Sequence, residues 1–447
     1  MTMQRREFLR TLGAAGLAAG PLAGCATSPS RAGPRVVVVG GGYGGATVAK
    51  YLDLWSNGTV DITLVESDSA FVSCPMSNLV VGGSKQIADL TVSYDALARR
   101  GIRVRNETAL AVDPSRQTVR VGNQVDLPYD RLVLSPGVDL LFDQVQGLTA
   151  DAQAKILHAW KAGPQTVALR RQLEAMPDGG VFAISIPRAP YRCPPGPYER
   201  ACQAAWYFKR AKPRSKVLVL DGNEDVISKK ALFMKAWSED YKGIVEYRPN
   251  YVLTDVDARA MTLRFETADD VKADVINVIP PQRAGAIAAQ AGVITANDRW
   301  CEVDFLTFES IKVPKVHVLG DAIQIAPLMP KSGHMANQHA KVAAAAILNA
   351  FAGRAPNAAP VMSNACYSFI TDKDVVHVDS VHQYDREKKT FTTVPGSGGL
   401  SPAPSAVEGE YAFAWARNIW RRRSSSSRWT GCARCSCRLS RARPIAC

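Results

Sequence analysis

VVVVGGGYGGA, residues 36–46, sets four β-branched residues in a row and then puts Gly40, Gly42 and Gly45 at the three glycine places of GxGxxG. The apolar run reads as a strand buried on both faces. Each glycine has a mechanical reason to be there, namely a tight turn at Gly40, close approach of backbone to a pyrophosphate at Gly42, and a helix packed hard on the strand at Gly45. The helix that follows, roughly Gly45 to Trp55, aims its N-terminal amides and positive dipole end at phosphate. A second apolar run, Asp61 to Val65, ends at Glu66, about 20 residues on, where a carboxylate can accept both ribose hydroxyls. Strand, glycines, helix, second strand and carboxylate together predict a dinucleotide-binding βαβ unit.

The chain has 447 residues, enough for two or three domains, and a hydrophobic content of 47% that suits a packed interior. Its net charge of +13 sits at the ends. Residues 1–34 carry four arginines and one glutamate, residues 418–447 carry eight arginines and no acid, and 35–417 is left at +2. A nearly neutral body excludes nucleic acid as a partner.

Arg5 and Arg6 precede Phe8-Leu9 and a 14-residue small and apolar run, Thr11 to Gly24, too short to span a bilayer. Residues 1–34 therefore read as a twin-arginine export signal, which implies a periplasmic protein folded around its cofactor before export. Leu22-Ala23-Gly24-Cys25 resembles a lipoprotein cleavage box, so Cys25 is a candidate for acylation and membrane tethering; ordinary cleavage nearby is the open alternative. Four of the ten cysteines, Cys432, Cys435, Cys437 and Cys447, fall in the last 16 residues among Arg and Ser. No His or carboxylate accompanies them, so no metal site is expected, and 421–447 reads as a basic disordered tail, its abrupt composition suggesting a reading-frame change.

A helix is expected to end at Gly101 in TVSYDALARRG, with short strands to about Val125. Tyr129 to Leu134 is a buried strand followed by Ser135-Pro136-Gly137, resembling the crossover at which two-dinucleotide flavoproteins leave for a second domain. From 156 to 282 a second α/β unit follows, with helix Gln165 to Met176, strand Val181 to Ile186, helix near Tyr198 to Arg210, strand Lys216 to Leu220 and later strands ending at Val278. A second GxGxxG would stand after Ile186, but Pro187 to Ala201 has four prolines and one glycine there. Such a loop lacks the free amides a pyrophosphate needs, so this domain has the nucleotide topology without NAD. The chain returns through Val313 to Ala322, where Gly320-Asp321 puts a carboxylate at the sheet edge, positioned for the ribityl chain of FAD. Pro330-Lys331-Ser332-Gly333 then opens a helix to about Ala350 whose N-terminus can face the flavin N1/C2=O edge.

The segments FVSCPMSN (71–78), HAWKAGPQT (158–166), YRCPPGPYERA (191–201), INVIPPQRAG (276–285), MPKSG (329–333) and YAFAW (411–415) together resemble the flavoprotein chain of flavocytochrome c sulfide dehydrogenase, from about Arg35 to Trp420. The resemblance implies an α/β fold with two Rossmann-like domains, the second inserted in the first, and a C-terminal α+β flavin-covering domain. It divides the chain into 35–155 and 283–360 for FAD, 156–282 for the central domain, and 361–420 for the C-terminal domain. It further implies a periplasmic FAD enzyme that oxidises sulfide and passes electrons to a c-type cytochrome subunit. Cys74 matches the cysteine attached covalently to flavin, Cys193 one cysteine of the redox disulfide, and Trp415 the aromatic near the flavin, which makes Cys193 and Trp415 the catalytic candidates. Gly40, Gly42, Gly45, Glu66, Gly137, Gly320, Asp321, Lys331, Ser332 and Gly333 are the remaining cofactor-binding candidates.

One departure matters. The second redox cysteine is expected just after Gly320-Asp321-Ala322, where this chain has Ile323-Gln324-Ile325, and no cysteine lies between Cys301 and Cys366. Cys202 is expected to point elsewhere, and the positions of Cys301 and Cys366 stay open. Two other readings follow: a sulfide:quinone oxidoreductase-like enzyme, and an accessory flavoprotein of a sulfur-oxidation system.

Overall fold

The computed structural model describes residues 31–424, with side chains described through Trp420. The expected export signal up to residue 30, Cys25 and the cysteine-rich tail beyond residue 424 lie outside the described residues.

The strand Arg35–Val39 has Val36 to Val39 buried and lies at the centre of a five-stranded sheet. The strands Val316–Val318, Arg131–Leu134, Arg35–Val39, Asp61–Val65 and Arg103–Arg105 follow one another across it, every pair parallel. Such a sheet must be covered on both faces. The helices Tyr43–Trp55 and Gly333–Phe351 pack on each other against it, burying Ala46, Val48, Ala49 and Leu52 from the first and Ala340, Ala343, Ala344 and Ile347 from the second. Small alanines let the two helices approach closely.

A second parallel sheet, in the order Val245–Arg248, Lys216–Asp221, Val181–Ile186 and Val275–Val278, is interposed between Leu134 and Val316. Separate apolar clusters cover its two faces, one around Tyr198, Phe208, Phe233 and Trp237, the other around Leu220, Leu263, Ile276 and Val278. Outgoing and returning chains meet in an antiparallel pair, Val138–Leu140 with Gln282–Ala284, so the second dinucleotide fold is inserted in the first. The C-terminal portion is an antiparallel sheet, Val361–Phe369, Val375–Asp385, Thr390–Thr393 and Gly399–Leu400, followed by the helix Ala406–Ser424.

Three expectations need correction. TVSYDALARRG holds only the short helix Asp95–Ala98; Thr91–Ser93 is instead a strand paired with Ala70–Val72, as suits the β-branched Thr91 and Val92. The return strand is confined to Val316–Val318, and Gly320–Ala322 forms a 3-10 turn that re-aims the chain at the sheet edge. The tail does not begin at residue 421, because the last helix continues to Ser424. Among the described residues, no helix is long and apolar enough to cross a membrane.

Candidate active site

A cleft begins at the C-terminal edge of the first sheet and runs inward as two contiguous cavities that share Gly42, Phe71, Cys74, Ser135, Gly137 and Arg192. Its outer part is lined by Gly40, Glu66, Glu107 and Lys161. Its inner part is lined by Cys193, Glu199, Gly320, Asp321, Lys331, Ser332, Gly333, Cys366, Tyr367 and Trp415.

The glycine turn sets the neck. Gly40 has φ +94°, and a Cβ there would lie 2.3 Å from the Ser135 carbonyl oxygen. At Gly45 a Cβ would lie 1.8 Å from the Gly40 carbonyl oxygen, so helix and turn could not close. Gly42 is different: nothing stands within 4 Å of its Cβ direction, which faces the cleft. Among the described residues, no side chain caps the helix Tyr43–Trp55, leaving its first amides for an anion. Glu66 is held between the glycine turn and its own strand end: Gly41 N–H donates to Oε2 at 2.5 Å and Asp68 N–H to Oε1 at 3.0 Å. A carboxylate has about four acceptor positions, so capacity for ribose hydroxyls remains.

Asp321 carries the clearest sign of a missing ligand. The residue is half-buried, but its Oδ1 is shut off from solvent without a hydrogen-bond partner, and desolvation raises its carboxyl above the ordinary range. A polyhydroxylated chain lying in the cleft would satisfy it. The cleft thus fits an extended dinucleotide: carboxylate at one end, open glycine turn at the neck, and an orphaned acceptor within. Ser332 caps the helix Gly333–Phe351, accepting from Met335 N–H at 3.0 Å. Lys331 lines the cavity, but its ammonium turns away, donating to the carbonyls of Asp321 at 2.8 Å and Ile323 at 2.6 Å and lying 3.6 Å from the centre of the Trp300 ring. Burial pushes that ammonium down to about 7. The cavity is therefore offered the helix end rather than an exposed lysine charge. Trp415 closes the inner wall beside His334 and Tyr367.

Cys74 stands where the two cavities meet. Arg192 Nη2 donates to its Sγ at 3.0 Å and also to the Trp160 carbonyl. Cys193 follows in the next position, with φ 55° in the left-handed region, an uncommon conformation for a side-chain-bearing residue and one further restricted by Pro194. Its N–H donates to the Lys331 carbonyl at 2.8 Å and its carbonyl accepts from Gly196 N–H at 2.8 Å. The proline-rich loop leaves no room for phosphate over the helix Gly196–Ala211: a Cβ at Gly196 would lie 2.7 Å from the Trp160 ring and 3.0 Å from Cys193 Sγ. Ile323, in the place expected for a second cysteine, is buried and bridged to Cys301.

Three cavity residues, Arg192, Cys366 and Glu199, and one buried residue behind them, Arg200, are absent from the sequence-based candidates. Arg192 bridges both sulfur neighbourhoods, and Cys366 brings a third thiol, after Cys74 and Cys193, to the inner cavity. Arg200, 1% exposed, donates to Asn78 Oδ1, Asn277 Oδ1 and the carbonyls of His158 and Ala159, tying the 158–160 loop behind Cys74. Glu199 lines the cavity with Oε1 unpartnered; burial pushes its carboxyl up to about 7, against the pull of Lys229 and the Phe369 amide. The unfolded carboxyl titrates near 4.5, so between there and pH 7 the folded protein keeps a proton that the unfolded chain has lost. Stability then falls as pH rises through this window and is level above it. Glu199→Gln is expected to flatten the fall, gaining about 2 kcal/mol over the parent between pH 5 and pH 8 in denaturant melts. Parallel curves would mean that Glu199 holds no such proton.

Fold and cleft together define a flavoprotein oxidoreductase with two dinucleotide folds. Residues 34–167 match the pyridine nucleotide-disulphide oxidoreductase family, 166–280 the central region of the sulfide dehydrogenase [flavocytochrome c] flavoprotein chain, and 358–422 the flavocytochrome c sulphide dehydrogenase flavin-binding region. The chain belongs to the family of flavocytochrome c sulfide dehydrogenase flavoprotein chains. It is 59% identical over 46 residues to that chain from Chlorobaculum thiosulfatiphilum, covering 94% of the relative and 10% of this chain. Against the mitochondrial sulfide:quinone oxidoreductase of Dictyostelium discoideum it is 24% identical over 296 residues, 64% of this chain and 65% of the relative's length. The sulfide:quinone oxidoreductase structure from Aquifex aeolicus shares the fold, with TM-score 0.72 at 19% identity over 87% of this chain and 91% of that one.

Proposed function

We propose that this chain is the FAD-binding subunit of an exported sulfide dehydrogenase that oxidises sulfide to sulfur or polysulfide and hands the electrons to a c-type cytochrome. The observation that carries it is the convergence of Cys74, Cys193, Asp321 and the helix end at Ser332-Gly333 on one cleft that starts at an open glycine turn. FAD would supply acceptance of an electron pair and its release one electron at a time. Gly42 and the helix amides would hold the pyrophosphate, Glu66 a ribose, Asp321 the ribityl chain, and Cys74 a covalent link. Residues 35–155 and 283–360 would form the FAD domain, 156–282 a central domain without NAD, and 361–420 the cover. Cys193 would receive the sulfur atom, Trp415 would wall the reaction off from water, and Glu199 would take the substrate proton. The twin-arginine signal would send the loaded protein to the periplasm, with Cys25 as a candidate lipid tether.

Anaerobic sulfide added to the full chain co-purified with its c-type cytochrome should reduce the haem, and Cys193→Ser should lower that rate by at least a hundredfold. A flavin-loaded complex that leaves the haem oxidised would remove the dehydrogenase reading, and electron delivery to a quinone instead would move the acceptor. Ile323 favours one alternative, an accessory flavoprotein that keeps a sulfur-oxidation partner active. That reading requires the partner to lose activity when this chain is withdrawn.

A further inference from the structure

The outer part of the cleft is short of positive charge for the ligand it fits. Its walls carry the carboxylates of Glu66, Asp68, Glu107 and Asp139 against two cations, Lys161 and Arg192. Arg192 is committed, donating to Cys74 Sγ at 3.0 Å and to the Trp160 carbonyl. Lys161 is not. Its side chain is half-exposed at the mouth, and the one ion pair its ammonium makes is with the Asp139 carboxylate at 3.9 Å, beyond hydrogen-bond reach. The backbone that carries it is firmly held. Asn277 Nδ2 donates to the carbonyls of Leu157 and His158 at 2.6 and 2.8 Å, and Arg200 to those of His158 and Ala159. Gln165 Oε1 accepts from the His158 and Ala159 amides, both at 3.0 Å. Ala162 N–H then reaches across to the first domain, donating to Cys74 Sγ at 3.5 Å. Ala159 itself sits at φ 44°, a left-handed conformation that persists only where the surroundings over-determine it. A fixed loop thus presents one uncommitted ammonium to the cavity that also exposes Gly42.

We propose that Lys161 is a cationic arm by which the central domain closes on the cofactor's pyrophosphate, so that the second dinucleotide fold retains the ligand of the first. The inference rests on the reading of the cleft as an FAD site. A pyrophosphate brings two negative charges into a cavity already lined by four carboxylates, and the helix amides beyond Gly42 offset only about half a charge. A lysine ammonium is a compact point charge on a flexible stem, suited to phosphate, and this one has no stronger partner to leave. The arrangement also gives the central domain a use. Prolines fill the place of its own phosphate loop, yet its buried Arg200 and Asn277 are spent on fixing the 157–162 loop against Cys74.

The test compares two flavins that differ in phosphate. Full-length apoprotein in a Cys74→Ala background, where uptake is reversible, is titrated with FAD and with riboflavin, which has the same ring and ribityl chain but no phosphate. Lys161→Met is expected to weaken FAD binding by about tenfold at low salt and to leave riboflavin binding at the parent value. The difference should shrink as salt rises from about 50 mM to about 500 mM, and Lys161→Arg should restore most of the FAD affinity. Because the side chain is half-exposed, the melting temperature of the apoprotein should not move. FAD affinity equal to the parent's in Lys161→Met would overturn the clamp while leaving the FAD reading intact. Equal losses for FAD and riboflavin would overturn it too, assigning the lysine to the shape of the loop. A Cys74→Ala parent that takes up neither flavin would remove the FAD reading itself and the clamp with it.

Discussion

Gly45→Ala is expected to abolish soluble, folded protein, whereas Gly42→Ala, three residues earlier, is expected to fold normally and fail to hold FAD. The contrast follows from what each new methyl group would meet. At Gly45 it would stand 1.8 Å from the Gly40 carbonyl oxygen, with Gly40 itself fixed against Ser135. Neither backbone can retreat, because Val36 to Val39 are bonded in register to strands on both sides. Overlap with backbone in the central sheet belongs to the rare severe class, at or above about 4 kcal/mol, comparable to much of a domain's net stability. At Gly42 the methyl group would meet nothing within 4 Å, and the backbone there, φ −62° and ψ −167°, is open to any residue. The added carbon instead projects into the cleft, where phosphate must approach the backbone. A cost of about 2 kcal/mol corresponds to roughly thirtyfold in affinity. Flavin per mole of protein and melting temperature, measured for both variants in a Cys74→Ala background that leaves only reversible binding, separate the two effects. A Gly42→Ala protein that stays fully yellow would mean that the pyrophosphate does not lie on this turn.

How legible these features are in the sequence follows from the same distinction. A glycine forced by sterics has no substitute, so VVVVGGGYGGA with Glu66 identifies the first domain without any tertiary information. The interruption of one dinucleotide fold by another is likewise visible, because a proline-rich loop cannot imitate a phosphate-binding one. Thr91 to Ser93 read as helix only by extension from DALARR; their β-branched residues favour strand, and the partner that makes one, Ala70–Val72, is a long-range fact. Arg192 and Arg200 are hidden for a related reason: arginine is ordinarily a surface residue, and only tertiary structure reveals carbonyls and a sulfur arranged to accept its donors. Cys366 lies on a strand whose sequence, NACYSF, signals nothing about which cavity it faces.

Cys74→Ala is expected to abolish flavin fluorescence from the polypeptide after denaturing electrophoresis, while the native protein remains yellow. The prediction rests on position: Cys74 borders both cavities, beyond the glycine turn and before Cys193, where the ring end of a dinucleotide lying along the cleft would pass. The Arg192 guanidinium, donating to Sγ at 3.0 Å and also to the Trp160 carbonyl, holds the sulfur at the border of the two cavities in one orientation. Arg192→Met should therefore slow attachment by roughly tenfold, the equivalent of about 1.4 kcal/mol at the barrier, when apoprotein is reconstituted with FAD and sampled over time. Reversible uptake, followed by quenching of free-flavin fluorescence in a Cys74→Ala background, should be less affected than the attachment rate. Equal rates for Arg192→Met and the parent would show that the guanidinium serves only to hold the Trp160 carbonyl. Fluorescence that stays with the Cys74→Ala polypeptide would move the link to another residue and, with it, the ring end of the cofactor away from the two inner thiols.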